Sequence, residues 1–272
     1  MKTLYLSDLD GTLLNDEGFL SDYTADTLNR LLACGLNFTV ATARSAITAS
    51  PILKRLSLAL PAALTNGVML ADPITGNPAD VSWLPAKAAS KVFMTFERFG
   101  RTPMAYLLKG TDISLRYQSS DNPAEQRFVA ERRTRYKHVF EVERQGPASN
   151  LMFINIIDRY EALAPIYEAI CKIKGVRAEF YPNSYDDTYF LEIFNAESGK
   201  ANALYRLKTL YGFDRVVAFG DNNNDIEMLK AADLAVVVGN AADHVKAVAD
   251  VVIDSNQEDG VARFIEADFE KE

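Results

Sequence analysis

Residues 7–14 read SDLDGTLL and follow directly on the apolar run Leu4-Tyr5-Leu6. A strand that runs out into Asp8 and Asp10, with Gly11 and Thr12 next, sets two carboxylates at the rim of a buried element. Ionised carboxylates repel one another and lose hydration on burial, so the arrangement needs a cation or a proton to offset it. How the rest of the chain is read depends on what supplies that offset.

Working outward, short apolar runs alternate with amphipathic stretches. KTLYLS is followed by a helix over about 21–34, then LNFTVAT, a helix over about 45–57, and AALTNG. The last third resumes the rhythm: SGKANALYRLKTLYG reads as helix, RVVAFGD as strand, NDIEMLKAA as helix, LAVVVG as strand, ADHVKAVA as helix and VVI as strand. Strands alternating with helices indicate parallel βαβ units, and near-continuous Val, Leu and Ala suits strands covered on both faces. The middle differs, because TPMAYLLK with DISLRYQ, and VRAEFYP with TYFLEIF, are pairs of strands joined by turn residues and hence hairpin-like. The expected fold is α/β, a doubly wound, mostly parallel Rossmann-like sheet over 1–83 and 192–272, with an α+β domain inserted at 84–191.

Composition bounds the function. The chain has 272 residues, 48% hydrophobic and 24% charged, enough for two unequal domains and too apolar for disorder. A net charge of −8 argues against a broad nucleic-acid surface. No stretch approaches a membrane span and no signal-peptide core follows Met1, so a cytoplasmic location is expected. Cys34 and Cys171 read as buried reduced thiols. With His138 and His244 as the only histidines, placed at surfaces or element ends, histidine chemistry is not expected.

Ligands of parallel sheets lie beyond the carboxyl ends of the strands. Asp8 and Asp10 follow the first strand, Thr42 and Arg44 the second, and Asp221, Asn224 and Asp225 a strand of the last third, while Lys200 opens the preceding helix. Several carboxylates with few imidazoles suit a hard divalent ion, Mg²⁺ above all. Lys200, the Thr42 hydroxyl and backbone N–H groups would hold phosphate oxygens. Asp8 would then attack phosphorus to form an aspartyl-phosphate, and Asp10 would protonate the leaving oxygen and later deprotonate water.

SDLDGTLL, the Thr of ATAR, Lys200 and GDNNNDIEML resemble, in order and spacing, the four motifs of the haloacid dehalogenase-like (HAD) phosphohydrolases. The long insert and LTNG at 64–67 are similar to the Cof-type group with a type-IIB cap. The resemblance implies a phosphatase acting on a small phosphorylated metabolite, a sugar phosphate by family, with specificity in the cap. It implies Asp8 as nucleophile and metal ligand, Asp10 as acid/base with its carbonyl on the ion, and Asp221 as the third protein ligand. Thr42, Ala43, Lys200 and Asn224 fall at phosphate-binding positions, with Asn224 and Asp225 also orienting groups around the ion. Ala43 stands where the family commonly has Gly, and AESGK replaces the more usual apolar-Ser-Lys before Lys200.

Other readings stay open at this level. Asp221 is a metal ligand, a helix N-cap or both, and Arg44 a salt bridge or a substrate contact. The run Arg132-Arg133 with Arg135 and Lys137 reads as a solvent-facing helix, and Tyr181, Tyr185 and Tyr189 as packing residues or part of a loop over a sugar. A phosphosugar mutase and a non-enzymatic phosphate-accepting module are the alternative functions. The sequence leaves the oligomeric state open.

Overall fold

Strand β1 (Thr3–Ser7) is buried along its whole length, and its apolar continuity makes it an interior strand of a sheet covered on both faces. The computed structural model describes residues 1–183 and 186–270; Tyr185 of the tyrosine series lies outside them. After β1 come α1 (Asp22–Ala33), β2 (Phe38–Val40), α2 (Ala46–Leu53) and three short strands, β3 (Ala62–Leu64), β4 (Met69–Ala71) and β5 (Pro78–Val81). Ser21 caps α1 by accepting the Thr24 N–H, and Ala25, Leu28 and Leu31 turn its apolar stripe inward. Pro51 lies inside α2, which ends four residues short of the expected Ser57.

The inserted stretch contains α3 (Ala86–Arg98), β6 (Met104–Lys109), β7 (Asp112–Tyr117), α4 (Pro123–Arg135), β8 (His138–Glu141), β9 (Leu151–Arg159), α5 (Tyr160–Ile170), β10 (Val176–Pro182) and β11 (Thr188–Asn195). The chain then returns through α6 (Lys200–Tyr211), β12 (Arg215–Gly220), α7 (Ile226–Ala231), β13 (Leu234–Val238), α8 (Asp243–Lys246), β14 (Val251–Ile253) and α9 (Gly260–Phe269).

Two units result: one from residues 1–80 with the chain from Gly199 onward, the other from residues 81–198. β11 stays paired to β10 as far as Asn195, which carries the insert past residue 192. The first unit holds a five-stranded, wholly parallel sheet ordered β14-β13-β12-β1-β2. From β1 the chain steps to β2 on one side, and β12, β13 and β14 run out on the other, so strand order reverses between β1 and β12. Ligands of doubly wound sheets bind at such a reversal. β3 joins this sheet only through the parallel Ala41–Ala63 bridge and otherwise pairs with β4.

The second unit is a six-stranded mixed sheet, β10-β11-β9-β6-β7-β8, in which the β7–β8 pair alone is parallel, with α4 as its crossover. Ile154, Ile156, Leu191 and Ile193 pack one face against Val92 and Phe96 of α3 and Leu163, Ile166 and Ile170 of α5. Each such buried side chain contributes about 1.5–3 kcal/mol. Cross-strand register puts Glu179, Glu192, Asn155 and Met104 in one row on the opposite face.

Cys34 and Cys171 are exposed, against the expectation of burial, because both sit at helix C-caps where the chain turns to the surface. Among the described residues no helix is long and apolar enough to cross a membrane.

Candidate active site

The chain leaves β1 through Asp8 and enters a wide turn closed by the Leu14 N–H on the Leu9 carbonyl at 2.9 Å. Gly11 reverses the backbone there with φ 78°, a left-handed conformation suited to glycine. A Cβ at Gly11 would also come within 2.5 Å of Asp221 Oδ2, so the residue is fixed by space as well as by conformation. β12 ends beside β1 and delivers Asp221, whose Oδ1 accepts from Thr12 Oγ1 at 2.6 Å. Asn222, rather than Asp221, caps the turn that follows, and Asp225 completes that capping box.

Lys200 opens α6 directly after Gly199 and is 3% exposed. Its Nζ lies 2.7 Å from Asp8 Oδ1 and 2.7 Å from Asp225 Oδ1. Asp8 is 5% exposed and Asp225 fully buried. Asp225 Oδ2 accepts from the backbone N–H groups of Asp221 and Asn222 at 3.2 and 3.1 Å, so this carboxylate braces the loop and anchors the lysine together. Ligand atoms of Asp8, Asp221 and Asp225 all lie within 4.8 Å of one another.

Burial raises the Asp8 carboxyl to about 7, with the neighbouring Asp225 charge adding to the effect and Lys200 opposing it. Burial also pushes Asp221 up, against the Thr12 hydrogen bond. Desolvation by itself would lower Lys200, but Asp8 and Asp225 outweigh it and its pKa is raised. Three carboxylates against one ammonium leave two negative charges when all are ionised. A divalent cation cancels that excess, and carboxylate oxygens are the donors a hard ion takes, so the residues present fit Mg²⁺.

The two acids of the opening motif part company. Asp10 turns its half-exposed carboxylate to Arg44, accepting from Nε at 2.8 Å and from the terminal guanidinium nitrogen at 2.5 Å. The converging ionic groups among the described residues are therefore Asp8, Lys200, Asp221 and Asp225, and the two acids of the motif face different cations, Lys200 for Asp8 and Arg44 for Asp10.

Thr42 is buried just beyond β2, with Oγ1 accepting the Arg44 N–H at 3.1 Å. Ala43 and Asn224 are exposed. The LTNG stretch braces Thr42 from behind: Thr65, Asn66 and Gly67 take φ of 54°, 50° and 74°, and the N–H groups of Thr65 and Asn66 donate to the carbonyls of Arg44 and Thr42. His244, at the start of α8, bonds Asn223 in the Asp221–Asp225 loop. Sequence reasoning gave no role to Thr12, whose place inside the Asp-Gly-Thr triplet was its signal, nor to Asn240 and Asn256, which had none.

A family model described as haloacid dehalogenase-like hydrolase matches residues 5–265. The chain is 28% identical to the 5-amino-6-(5-phospho-D-ribitylamino)uracil phosphatase YitU of Bacillus subtilis, over 96% of each chain. It is also 28% identical to the pyridoxal phosphate phosphatase YbhA of Escherichia coli, over 95% of each. The solved structure of the HAD subclass IIB sugar phosphatase BT4131 matches with a TM-score of 0.71 at 20% identity, covering 99% of each chain.

Proposed function

Because the chain belongs to the haloacid dehalogenase-like hydrolase family and is a phosphatase of it, we propose that it hydrolyses a small phosphate monoester, a sugar phosphate by preference, through an aspartyl-phosphate on Asp8. One observation carries the reading: a buried carboxylate, Asp8, stands at the reversal point of a parallel sheet with Lys200 at 2.7 Å and two further carboxylates beside it. Polar groups so costly to bury persist where they do chemistry.

Asp8 attacks phosphorus in line, and the bond to the leaving oxygen breaks as Asp10 gives that oxygen a proton. Water then attacks phosphorus and gives a proton to Asp10, the bond between phosphorus and the Asp8 oxygen breaks, and inorganic phosphate leaves with the Asp8 carboxylate regenerated. Arg44 holds Asp10 as a carboxylate, so Asp10 must leave Arg44 and take a proton from solvent before it serves as the acid. Lys200 fixes the Asp8 carboxylate and offsets charge on the phosphoryl oxygens. The Thr42 hydroxyl, the backbone at Ala43 and Asn224 complete the phosphate contacts. Asp8, Asp221 and the Asp10 carbonyl would hold Mg²⁺, with Asp225 behind them. The ion supplies charge neutralisation at the phosphoryl group. Selection of the leaving group is assigned to the inserted unit.

The test is phosphate release across a panel of phosphorylated metabolites, including a phosphorylated ribitylaminouracil and pyridoxal phosphate beside hexose and pentose phosphates, ranked by kcat/KM. Asp8→Asn should lose at least about 10³-fold in kcat, and EDTA should abolish turnover. Retained activity in Asp8→Asn removes the nucleophile assignment, and turnover without metal removes Mg²⁺.

A further inference from the structure

The turn that carries Asp10 is held from outside by two asparagines that follow the outer strands of the parallel sheet. Asn240, just after β13, donates from Nδ2 to the Gly11 carbonyl at 2.8 Å. Its own Oδ1 accepts the Asn256 N–H at 3.0 Å. Asn256, which follows β14 and is 5% exposed, donates from Nδ2 to the Leu14 carbonyl and to Asp16 Oδ1, each at 3.0 Å. The wide turn after β1 is thus tied at Gly11 and again at Leu14 by one connected chain of amides.

We propose that Asn240, backed by Asn256, is a positioning residue that sets where Asp10 sits for proton transfer to the leaving group. β12 lies between β1 and β13, so Asn240 reaches past the end of β12 to bond the Gly11–Thr12 peptide, one residue beyond Asp10. Gly11, whose positive φ reverses the backbone, is thus the single residue between Asp10 and the tied peptide. The Asp10 side chain faces Arg44 on an exposed surface, so its backbone, rather than burial, fixes its reach. Asp8 is positioned differently, by β1 and by Lys200, with its N–H on the Phe219 carbonyl at 3.0 Å. Loss of the Asn240 bond therefore loosens the acid while sparing the nucleophile. Misplacing a catalytic group by about 1 Å can cost about 10²-fold.

The inference rests on the reading of Asp10 as acid, and leaving-group chemistry separates the two. An acid matters for an alkoxide, which cannot depart unprotonated, and little for p-nitrophenolate, which can. The experiment compares kcat for p-nitrophenyl phosphate and for alkyl phosphates of rising leaving-group pKa in the wild type, Asp10→Asn, Asn240→Ala and Asn240→Asp. Asn240→Asp keeps the acceptor for the Asn256 N–H and replaces the donor to Gly11 by a carboxylate oxygen that repels that carbonyl, so it breaks the contact even where Asn240→Ala fails to fold. Ser21→Ala, which loses the α1 cap and touches no part of this chain of amides, controls for general destabilisation.

We expect the Asn240 variants to lose about 10- to 100-fold with alkyl phosphates, to lose little with p-nitrophenyl phosphate, to keep KM, and to add nothing further when combined with Asp10→Asn. Ser21→Ala should lower Tm and keep the wild-type dependence. A changed dependence in Asp10→Asn with a wild-type dependence in both Asn240 variants overturns the inference alone. An unchanged dependence in Asp10→Asn overturns the acid reading and the inference with it. A Ser21→Ala variant that behaves like Asn240→Ala overturns the inference by showing the effect to be general.

Discussion

Each unit of the molecule carries a carboxyl group raised to about 7, Asp8 in the first and Glu192 in the second, and the two are built in opposite ways. Asp8 sits at the rim of a parallel sheet with an ammonium at 2.7 Å, inside a cluster of alternating charge. Glu192 sits in the middle of an antiparallel sheet face, directly across from Glu179 on β10 and from Asn155 on β9. Burial raises it, Glu179 adds to that, and the Tyr181 hydroxyl and Arg132 of α4 oppose. Glu179 is itself paired with Arg177. Similar acidities therefore have different meanings. In the first unit the charges are assembled to hold more charge; in the second a buried carboxyl across from another carboxyl does best by keeping its proton.

The largest test of this contrast is Lys200→Met. Removing the cation leaves Asp8 and Asp225 facing one another in a dry site, and breaking a buried ionic cluster in this way costs about 3–5 kcal/mol. Urea unfolding at pH 8 in EDTA should show that loss, and a difference under about 1 kcal/mol would mean the cluster is not ionised.

Next in size is the pH dependence carried by Glu192. Its carboxyl binds a proton more tightly in the folded than in the unfolded chain, so folding takes up protons between about 4.5 and about 7. Stability from this group is therefore full below that window, falls as pH rises through it, and is flat above, a loss of up to about 3 kcal/mol. Asp8 acts in the same direction, so the informative quantity is the difference between wild type and Glu192→Gln. The wild type should lose more stability than the variant from pH 5 to pH 7.5, and parallel curves would refute a proton held on Glu192 by the fold.

The smallest effect belongs to Tyr181→Phe. Its hydroxyl donates to Glu192, so its loss should cost about 1 kcal/mol above pH 7 and little at pH 5. An equal loss at both values would assign Tyr181 to packing alone.

The same contrast explains what could be read from the chain itself. Asp8, Lys200, Asp221 and Asp225 were legible because each lies at a strand end or helix start, and parallel topology brings such ends to one rim. The hairpin pairs β6–β7 and β10–β11 were legible from their turn residues. The row of Glu179, Glu192 and Asn155 was not, since turn residues announce a hairpin without fixing its residue-by-residue register or the pairing of β11 with β9. Nor was the turning of Asp10 to Arg44, a matter of rotamer. Helix α9 passed without notice, although Ser255 and Glu258 form a capping box just ahead of it, because an apolar stripe of ten residues that begins at Gly260 is a weak periodic signal.

The central pair of the parallel sheet, β1 and β12, joins residues 3–7 to residues 215–219, and the Thr12–Asp221 bond spans 209 positions. Pairings of that sequence separation carry a large loop-closure cost and slow folding. On a ribosome, β12 emerges only after every residue of the insert has been made, while the insert has an apolar core of its own. Catalytic competence therefore returns on refolding no sooner than this long-range closure, and regain of phosphatase activity is a clock for the topologically most distant step in the chain.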